Sequence, residues 1–312
     1  MARPGWRAPV PVLCVGNATV GGAGKTTVAL DLAARLSAAG CAPHVLLRGY
    51  GGAARGVRRV ATEDPAALVG YEALLLAAVA PTWVGADRAA AARAACAAGA
   101  GVLVMDDGLQ NPGLHKDVSL LVIDGGFGFG NGRVLPAGPL REPVAAAAAR
   151  CTAAVLIGQD QHAARAALPP GLPVLGARLE PGPEAADLRG KPVLAFAGIA
   201  RPEKFFASLQ EVGAVLAGRE AFPDHHRFAP RALARLLARA ARLRAVPVTT
   251  AKDAVRLPPE VRAVVRVLGV RLAWENPAAI AALLTGLTRG QAGIAEAPPE
   301  ALCGPGTQRT GR

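Results

Sequence analysis

The run Thr19-Val-Gly-Gly-Ala-Gly-Lys-Thr26 gathers three kinds of group that handle phosphate. Glycines let backbone N–H groups turn toward an anion, the Lys25 ammonium can reach β- and γ-phosphates, and the Thr26 hydroxyl can sit on Mg²⁺. A helix opening there adds its positive N-terminal end. The expected phosphate cradle is therefore Thr19, Val20, Gly21, Gly22, Ala23, Gly24, Lys25 and Thr26, with Thr19 standing where the general pattern has its first glycine. Asp106-Asp107 closes the apolar run Gly101-Val-Leu-Val-Met105, where a phosphate-transferring ATPase keeps its metal carboxylate. Neighbours at a strand end can divide tasks, one toward the metal and one toward the reacting groups. The plainer reading is a capped strand-to-loop turn.

Weaker candidates surround these. Asp224-His225-His226-Arg227 puts imidazoles able to orient or accept protons into a loop. No further His or Cys lies nearby at ligand spacing, so a metal site is not expected there. Glu72 sits in Val69-Gly-Tyr-Glu-Ala-Leu-Leu-Leu-Ala77, where periodicity alone does not single it out. Arg48, Arg88, Arg133, Arg141 and Arg201 occupy loops or element ends; each could clamp a phosphate or be a solvated charge.

The elements that must position these groups alternate. Val10–Val15 reads as a buried strand and Thr26–Ala39, apolar at Val28, Leu32, Ala33 and Leu36, as a helix stopping at Gly40. Strands are predicted at Pro43–Leu47, Thr82–Val84, Gly101–Met105, Ser119–Ile123, Ala153–Ile157 and Leu172–Leu179, and helices near Ala66–Ala80 and Asp87–Ala98. Continuous apolar strands between helices imply a parallel sheet buried on both faces. The glycine-rich stretch Gly125 to Pro139 predicts a functional loop. Pro181-Gly-Pro183 and Gly190-Lys-Pro192 mark a boundary, after which strands at Val193–Ala197, Val246–Thr250 and Val264–Leu268 alternate with helices ending near Leu209 and spanning about Pro230–Leu243. The fold class is thus α/β: a P-loop NTPase-like parallel-sheet domain over 1–180 and a second, smaller α/β domain over 181–290. Residues 291–312 are expected to form a disordered tail.

Bulk properties set bounds. A chain of 312 residues is long enough for two cores. The net charge of +12 rests almost wholly on Arg, which points to an anionic partner or to coding bias. The cysteines (14, 41, 96, 151 and 303) are odd in number without C-x-x-C spacing, so small core residues in a reducing compartment are expected. The longest apolar stretches, Ala73–Ala86 and Val144–Gly158, are interrupted by Pro81 and Arg150, so no membrane span or signal peptide is expected.

Taken together, Val15-Gly-Asn-Ala-Thr-Val-Gly-Gly-Ala-Gly-Lys-Thr26, Arg48-Gly-Tyr-Gly-Gly52, Asp106-Asp-Gly-Leu-Gln110, Pro136-Ala-Gly-Pro-Leu-Arg-Glu142, Gly198-Ile-Ala-Arg-Pro202, Phe222-Pro-Asp-His-His226 and Thr249-Thr-Ala-Lys-Asp253 resemble, in order, the tetraacyldisaccharide 4′-kinases. That family also carries Thr at the position of Thr19. The resemblance implies an active site between two α/β domains. It implies γ-phosphoryl transfer from ATP, with Mg²⁺, to the 4′-hydroxyl of an acylated glucosamine disaccharide phosphate, giving lipid IVA. It assigns catalysis to Lys25, Asp107, His225 and Arg141 and the metal to Thr26, Glu72 and Asp106, with Arg88 a further phosphate contact. It also implies peripheral binding to the anionic cytoplasmic face of a bacterial inner membrane, and no nucleic-acid partner. A partitioning-type P-loop NTPase is the competing reading, but Val20 stands where many of those have a second Lys.

Three positions depart from the family. Tyr71 replaces an Asp thought to act with the histidine as base, and a phenol of pKa near 10 is a poor base at neutral pH. Slower catalysis, use of Asp107 instead, or nucleotide and lipid binding without efficient turnover are the alternatives this raises. Asn111 replaces a His, and the hydrophobic N-terminal segment usual in the family is not seen before the first strand.

Overall fold

The computed structural model describes residues 5–224 and 226–289. The segment from 290 onward, expected as a tail, lies outside the described residues, as does His225. In chain order the strands are β1 (Val12–Gly16), β2 (Pro43–Leu47), β3 (Arg58–Arg59), β4 (Thr82–Val84), β5 (Val102–Asp106), β6 (Val118–Asp124), β7 (Ala153–Ile157), β8 (Val174–Pro181), β9 (Pro192–Ala197), β10 (Val215–Ala221), β11 (Val246–Thr250), β12 (Arg266–Leu268) and β13 (Val270–Trp274). The helices are α1 (Lys25–Ala38), α2 (Ala66–Val69), α3 (Tyr71–Ala77), α4 (Arg88–Ala97), α5 (Val144–Ala148), α6 (Pro202–Glu211), α7 (Pro230–Arg242), α8 (Ala251–Ala254), α9 (Pro259–Arg262) and α10 (Pro277–Thr288).

Nine strands form one sheet in the order β13-β8-β7-β6-β1-β5-β2-β4-β3. It is parallel except at its edges, where β3 runs against β4 and β13 against β8. Alternation along each strand feeds two cores. Leu13, Val15, Val45, Val104 and Val122 pack with α1, α3 and α10. Val12, Cys14, Leu46, Met105 and Ile123 pack with α4 and α5 on the opposite face. Cys14 behaves as a core residue, its thiol pushed up to about 12 by burial. The described cysteines are all free thiols.

A second sheet, β10-β9-β11-β12, is parallel throughout, with α6 and α7 supplying its apolar cover through Phe205, Phe206, Leu209, Leu233 and Leu236. Sequence periodicity misses β10, whose residues alternate between half-buried and exposed, and misses β13 and α10. The last two correct the expected span of the smaller domain. After β12 the chain returns to the first sheet, because Leu272 and Trp274 of β13 and Ile280, Leu284 and Leu287 of α10 are buried against the α1 face. The Trp274 indole donates to Asp31 Oδ2 of α1 at 2.7 Å.

The helix expected over Ala66–Ala80 is two. Gly70 breaks it at φ 86°, a conformation L side chains rarely adopt, and a Cβ there would lie 2.7 Å from the Tyr50 carbonyl oxygen. The break starts α3 at Tyr71-Glu72, at the carboxyl edge of the sheet.

Candidate active site

β1 lies between β5 and β6, all parallel, so the loop after β1 and the carboxylates ending β5 meet at the same edge. Gly24, at φ 91°, turns the chain into α1. L side chains rarely adopt that φ, which favours glycine at this turn. Thr19 is buried: its backbone bridges to Leu140, and its hydroxyl accepts from the Asn17 amide at 3.2 Å. The Val20 N–H donates to the Pro139 carbonyl at 2.8 Å, so the loop before Arg141 braces the phosphate loop. These contacts explain how Thr replaces the usual glycine.

Lys25 Nζ donates to Asn17 Oδ1 at 3.0 Å and lies 3.6 Å from Asp107 Oδ1. Arg141 holds Asp107 through two bonds, Nη1–Oδ1 at 2.8 Å and Nη2–Oδ2 at 3.2 Å. Burial pushes the Asp107 carboxyl up, but Lys25 and then Arg141 outweigh it and leave the group below its ordinary value. Asp107 has φ 54°, uncommon for a residue with a side chain. Such strain is often found at functional sites.

Thr26, Glu72 and Asp106 also converge. The Thr26 hydroxyl lies 3.0 Å from Asp106 Oδ2 and 3.3 Å from Glu72 Oε1. Asp106 is raised to about 7, by burial first and then by the Glu72 charge. Its Oδ1 is buried without a hydrogen-bond partner. One hydroxyl and two carboxylates, with an orphaned carboxylate oxygen between like charges, suit a hard divalent cation such as Mg²⁺. Arg88 is buried at the cleft wall, 4% exposed; it donates to the Gly85 carbonyl, and its Nε has no partner. Burial lowers it to about 10, against the pull of Asp107.

The smaller unit closes the other side of a cleft of about 820 Å³ that takes in Val20–Thr26, Arg48, Tyr71, Glu72, Arg88, Asp106, Asp107, Arg141, Asp224 and Lys252. Lys252 Nζ reaches to 3.9 Å from Glu72 Oε1. Arg256 lies over the Tyr71 ring at 4.8 Å and donates to the backbone carbonyls of His226 (3.2 Å) and Gly198 (3.1 Å). Asp253 is fully buried, accepting from the Thr250 hydroxyl at 2.7 Å and from the Gly198 N–H. The motif Thr249–Asp253 thus ties three loops of this unit together. Lys252 and Arg256 escape sequence reasoning, because nothing local says that α8 faces Tyr71 across the chain.

The other expected residues take different positions. His226 stacks on Phe222 at 4.6 Å and edge-on to Phe228, which orders its loop. Arg201 pairs with Asp124 at 2.7 Å across the two units, and Arg48 lines the cleft mouth. Asn111 accepts from the Gly113 N–H at 2.9 Å and so shapes its own turn. The Tyr71 phenol is pushed well above its ordinary value, by burial first and then by Glu72.

A mostly parallel α/β sheet, a glycine loop opening a helix, and carboxylates at the adjoining strand end define a P-loop nucleotide-using phosphotransferase. Within that class, the family model described as "Tetraacyldisaccharide-1-P 4'-kinase" matches residues 1–288. A tetraacyldisaccharide 4'-kinase of Gluconacetobacter diazotrophicus is 62% identical over 288 residues, covering 91% of this chain and 87% of the relative. That of Rhodospirillum centenum is 58% identical over 294 residues, covering 93% and 86%. A crystal structure of LpxK from Aquifex aeolicus in complex with ATP is similar at a TM-score of 0.73 and 25% identity, covering 92% of this chain and 91% of that one. The chain belongs to the tetraacyldisaccharide-1-phosphate 4′-kinase family.

Proposed function

We propose that this chain transfers the γ-phosphate of ATP to the 4′-hydroxyl of tetraacyldisaccharide 1-phosphate, giving lipid IVA. The observation that carries the reading is the convergence of Lys25, Asp107 and Arg141 on one side of the cleft with Thr26, Glu72 and Asp106 beside them. The loop amides and Lys25 hold the β- and γ-phosphates, Asp107 fixes the positions of Lys25 and Arg141, and Arg141 meets charge as it builds on the phosphoryl oxygens. Arg88 supplies a second, buried cation at the same wall. Mg²⁺, when held by Thr26, Glu72 and Asp106, would neutralise the phosphates during transfer. Positioning and electrostatics dominate such a reaction, so Tyr71 is compatible with turnover. The impaired reading has no support in the family match.

The acceptor is a lipid, which places the enzyme at a membrane surface, on the cytoplasmic face of the inner membrane where ATP is present. Among the described residues no helix is long and apolar enough to cross a membrane. The net charge of +12 and exposed Val20 (43%) and Leu135 (51%) suit peripheral contact with anionic lipid. Val20 and Leu135 belong to neighbouring segments, linked through Pro139 and Leu140 at the cleft rim.

The test is the product. Incubation with labelled ATP and acceptor in mixed micelles is expected to yield a lipid with monoester phosphates at positions 1 and 4′. Lys25→Ala is expected to lower the rate about 10²-fold or more. ATP hydrolysis without a labelled lipid would overturn the assignment.

A further inference from the structure

Helix α8 brings a cation of the smaller unit to the phosphate side of the cleft. Lys252 lines that cleft together with Lys25 and Thr26 of the phosphate loop. Its Nζ lies 3.9 Å from Glu72 Oε1, and the same oxygen lies 3.3 Å from the Thr26 hydroxyl. One carboxylate oxygen therefore stands between the ammonium of the smaller unit and the hydroxyl at the start of α1. The ammonium also lies over the Tyr71 ring, 6.0 Å from its centroid.

The stem of Lys252 starts from a rigid base. Thr250 caps α8, its hydroxyl accepting from the Asp253 N–H at 3.1 Å and donating to Asp253 Oδ2 at 2.7 Å. The buried Asp253 carboxylate also accepts from the Gly198 N–H and pairs with Arg256 at 3.0 Å. Arg256 Nε donates to the Lys252 carbonyl at 3.0 Å. The neighbours of Lys252 thus hold the backbone, whereas its own side chain reaches the cleft, 36% exposed.

The contact with Glu72 is loose. At 3.9 Å it exceeds the roughly 2.7–2.9 Å of a charge-assisted hydrogen bond. Glu72 Oε1 also accepts from the Tyr71 hydroxyl at 3.4 Å and belongs to the donor set that suits Mg²⁺. With the ion held there, the Glu72 charge is drawn to the metal, and Lys252 needs another anion to face it. A phosphoryl group seated on the phosphate loop supplies that anion.

Resting on the phosphotransfer reading above, we infer that Lys252 binds the terminal phosphoryl group of the nucleotide from the smaller unit. Its Nζ gives a charge-assisted hydrogen bond to a γ-phosphoryl oxygen, on the side away from the loop amides. ADP lacks that group, so Lys252 gives the smaller unit a means of distinguishing ATP from ADP.

The experiment measures, by calorimetry with Mg²⁺, how the full chain, Lys252→Met and Lys252→Arg bind β,γ-methylene ATP and ADP. Steady-state transfer to tetraacyldisaccharide 1-phosphate is followed with the same proteins. Lys252→Met keeps the reach of the side chain and removes its charge. Its affinity for the ATP analogue should fall about 10–100-fold, the worth of a hydrogen bond to a charged group. Its affinity for ADP should stay within about twofold, and Lys252→Arg should recover part of the loss. In transfer, kcat/KM for ATP should fall about tenfold or more while KM for the lipid stays within about threefold. Unchanged analogue affinity in Lys252→Met would overturn the inference. So would an equal loss for ADP, which a merely structural pair with Glu72 would produce. A loss confined to the lipid KM overturns it too, because it places Lys252 at the phosphate of the acceptor. Transfer by the unaltered chain beside any of these three results rejects this assignment alone. No transfer by the unaltered chain rejects the phosphotransfer reading and this inference with it.

Discussion

At the scale of the residue, the site is held by opposed charges with one deliberate imbalance. Lys25, Arg141 and Asp107 satisfy one another, whereas Asp106 keeps a buried oxygen without a partner and faces the Glu72 charge. Asp106→Asn is therefore expected to stabilise the metal-free protein by about 1–3 kcal/mol while lowering kcat at least about 10²-fold. Thermal melts with and without Mg²⁺ check this: the variant should melt higher alone and gain nothing from the ion. Tyr71 offers its ring to Arg256, which lies over it at 4.8 Å, and its hydroxyl makes a long bond to Glu72 Oε1 at 3.4 Å. Tyr71→Phe should change kcat less than about threefold, and Tyr71→Ala should cost roughly 0.5–2 kcal/mol of stability, read from urea unfolding. The phosphate loop and the Asp106-Asp107 pair are legible in the sequence because their partners lie on one short string or at the end of one apolar run. The clamp of Arg141 on Asp107 and the Arg256–Tyr71 stack are not, since only tertiary structure joins residues so far apart.

At the scale of the element, breaks and returns matter more than the regular pieces. Gly70 divides one expected helix into two and so presents Tyr71 and Glu72 at a fresh N-terminus. Gly70→Ala should lose about 1–3 kcal/mol, because its φ and the nearby Tyr50 carbonyl both oppose a Cβ, and should lower activity more than a surface Gly→Ala does. Paired denaturation and rate measurements distinguish that from a harmless change. The sequence reads the break as continuous helix because Ala, Leu and Val around Gly70 keep helical periodicity. The return of β13 and α10 to the first sheet is hidden for a different reason. β13 is an edge strand of alternating exposure, and its burial comes from α1 through Leu272 and Trp274. Trp274→Ala should destabilise by about 3–5 kcal/mol, measurable as an earlier urea midpoint.

At the scale of the whole molecule, two α/β units face one cleft and touch through Arg201–Asp124, Lys252–Glu72 and Arg256–Tyr71. The alternation of strands and helices makes two layered units visible in the sequence, whereas their mutual placement depends on these side-chain pairs. The net charge of +12 acts at this scale too. Binding to vesicles with anionic lipid should exceed binding to neutral ones at about 0.1 M salt. It should fall sharply at about 1 M, as the Debye length shrinks from about 10 to about 3 Å; equal binding to both vesicles would contradict an electrostatic contribution. The central claim is that this chain is a working lipid kinase with Tyr71 in place. The most direct test is the rate of phosphate transfer to tetraacyldisaccharide 1-phosphate by the unaltered chain beside Tyr71→Asp. The account predicts sustained transfer by the unaltered chain. Transfer seen only after Tyr71→Asp would contradict it.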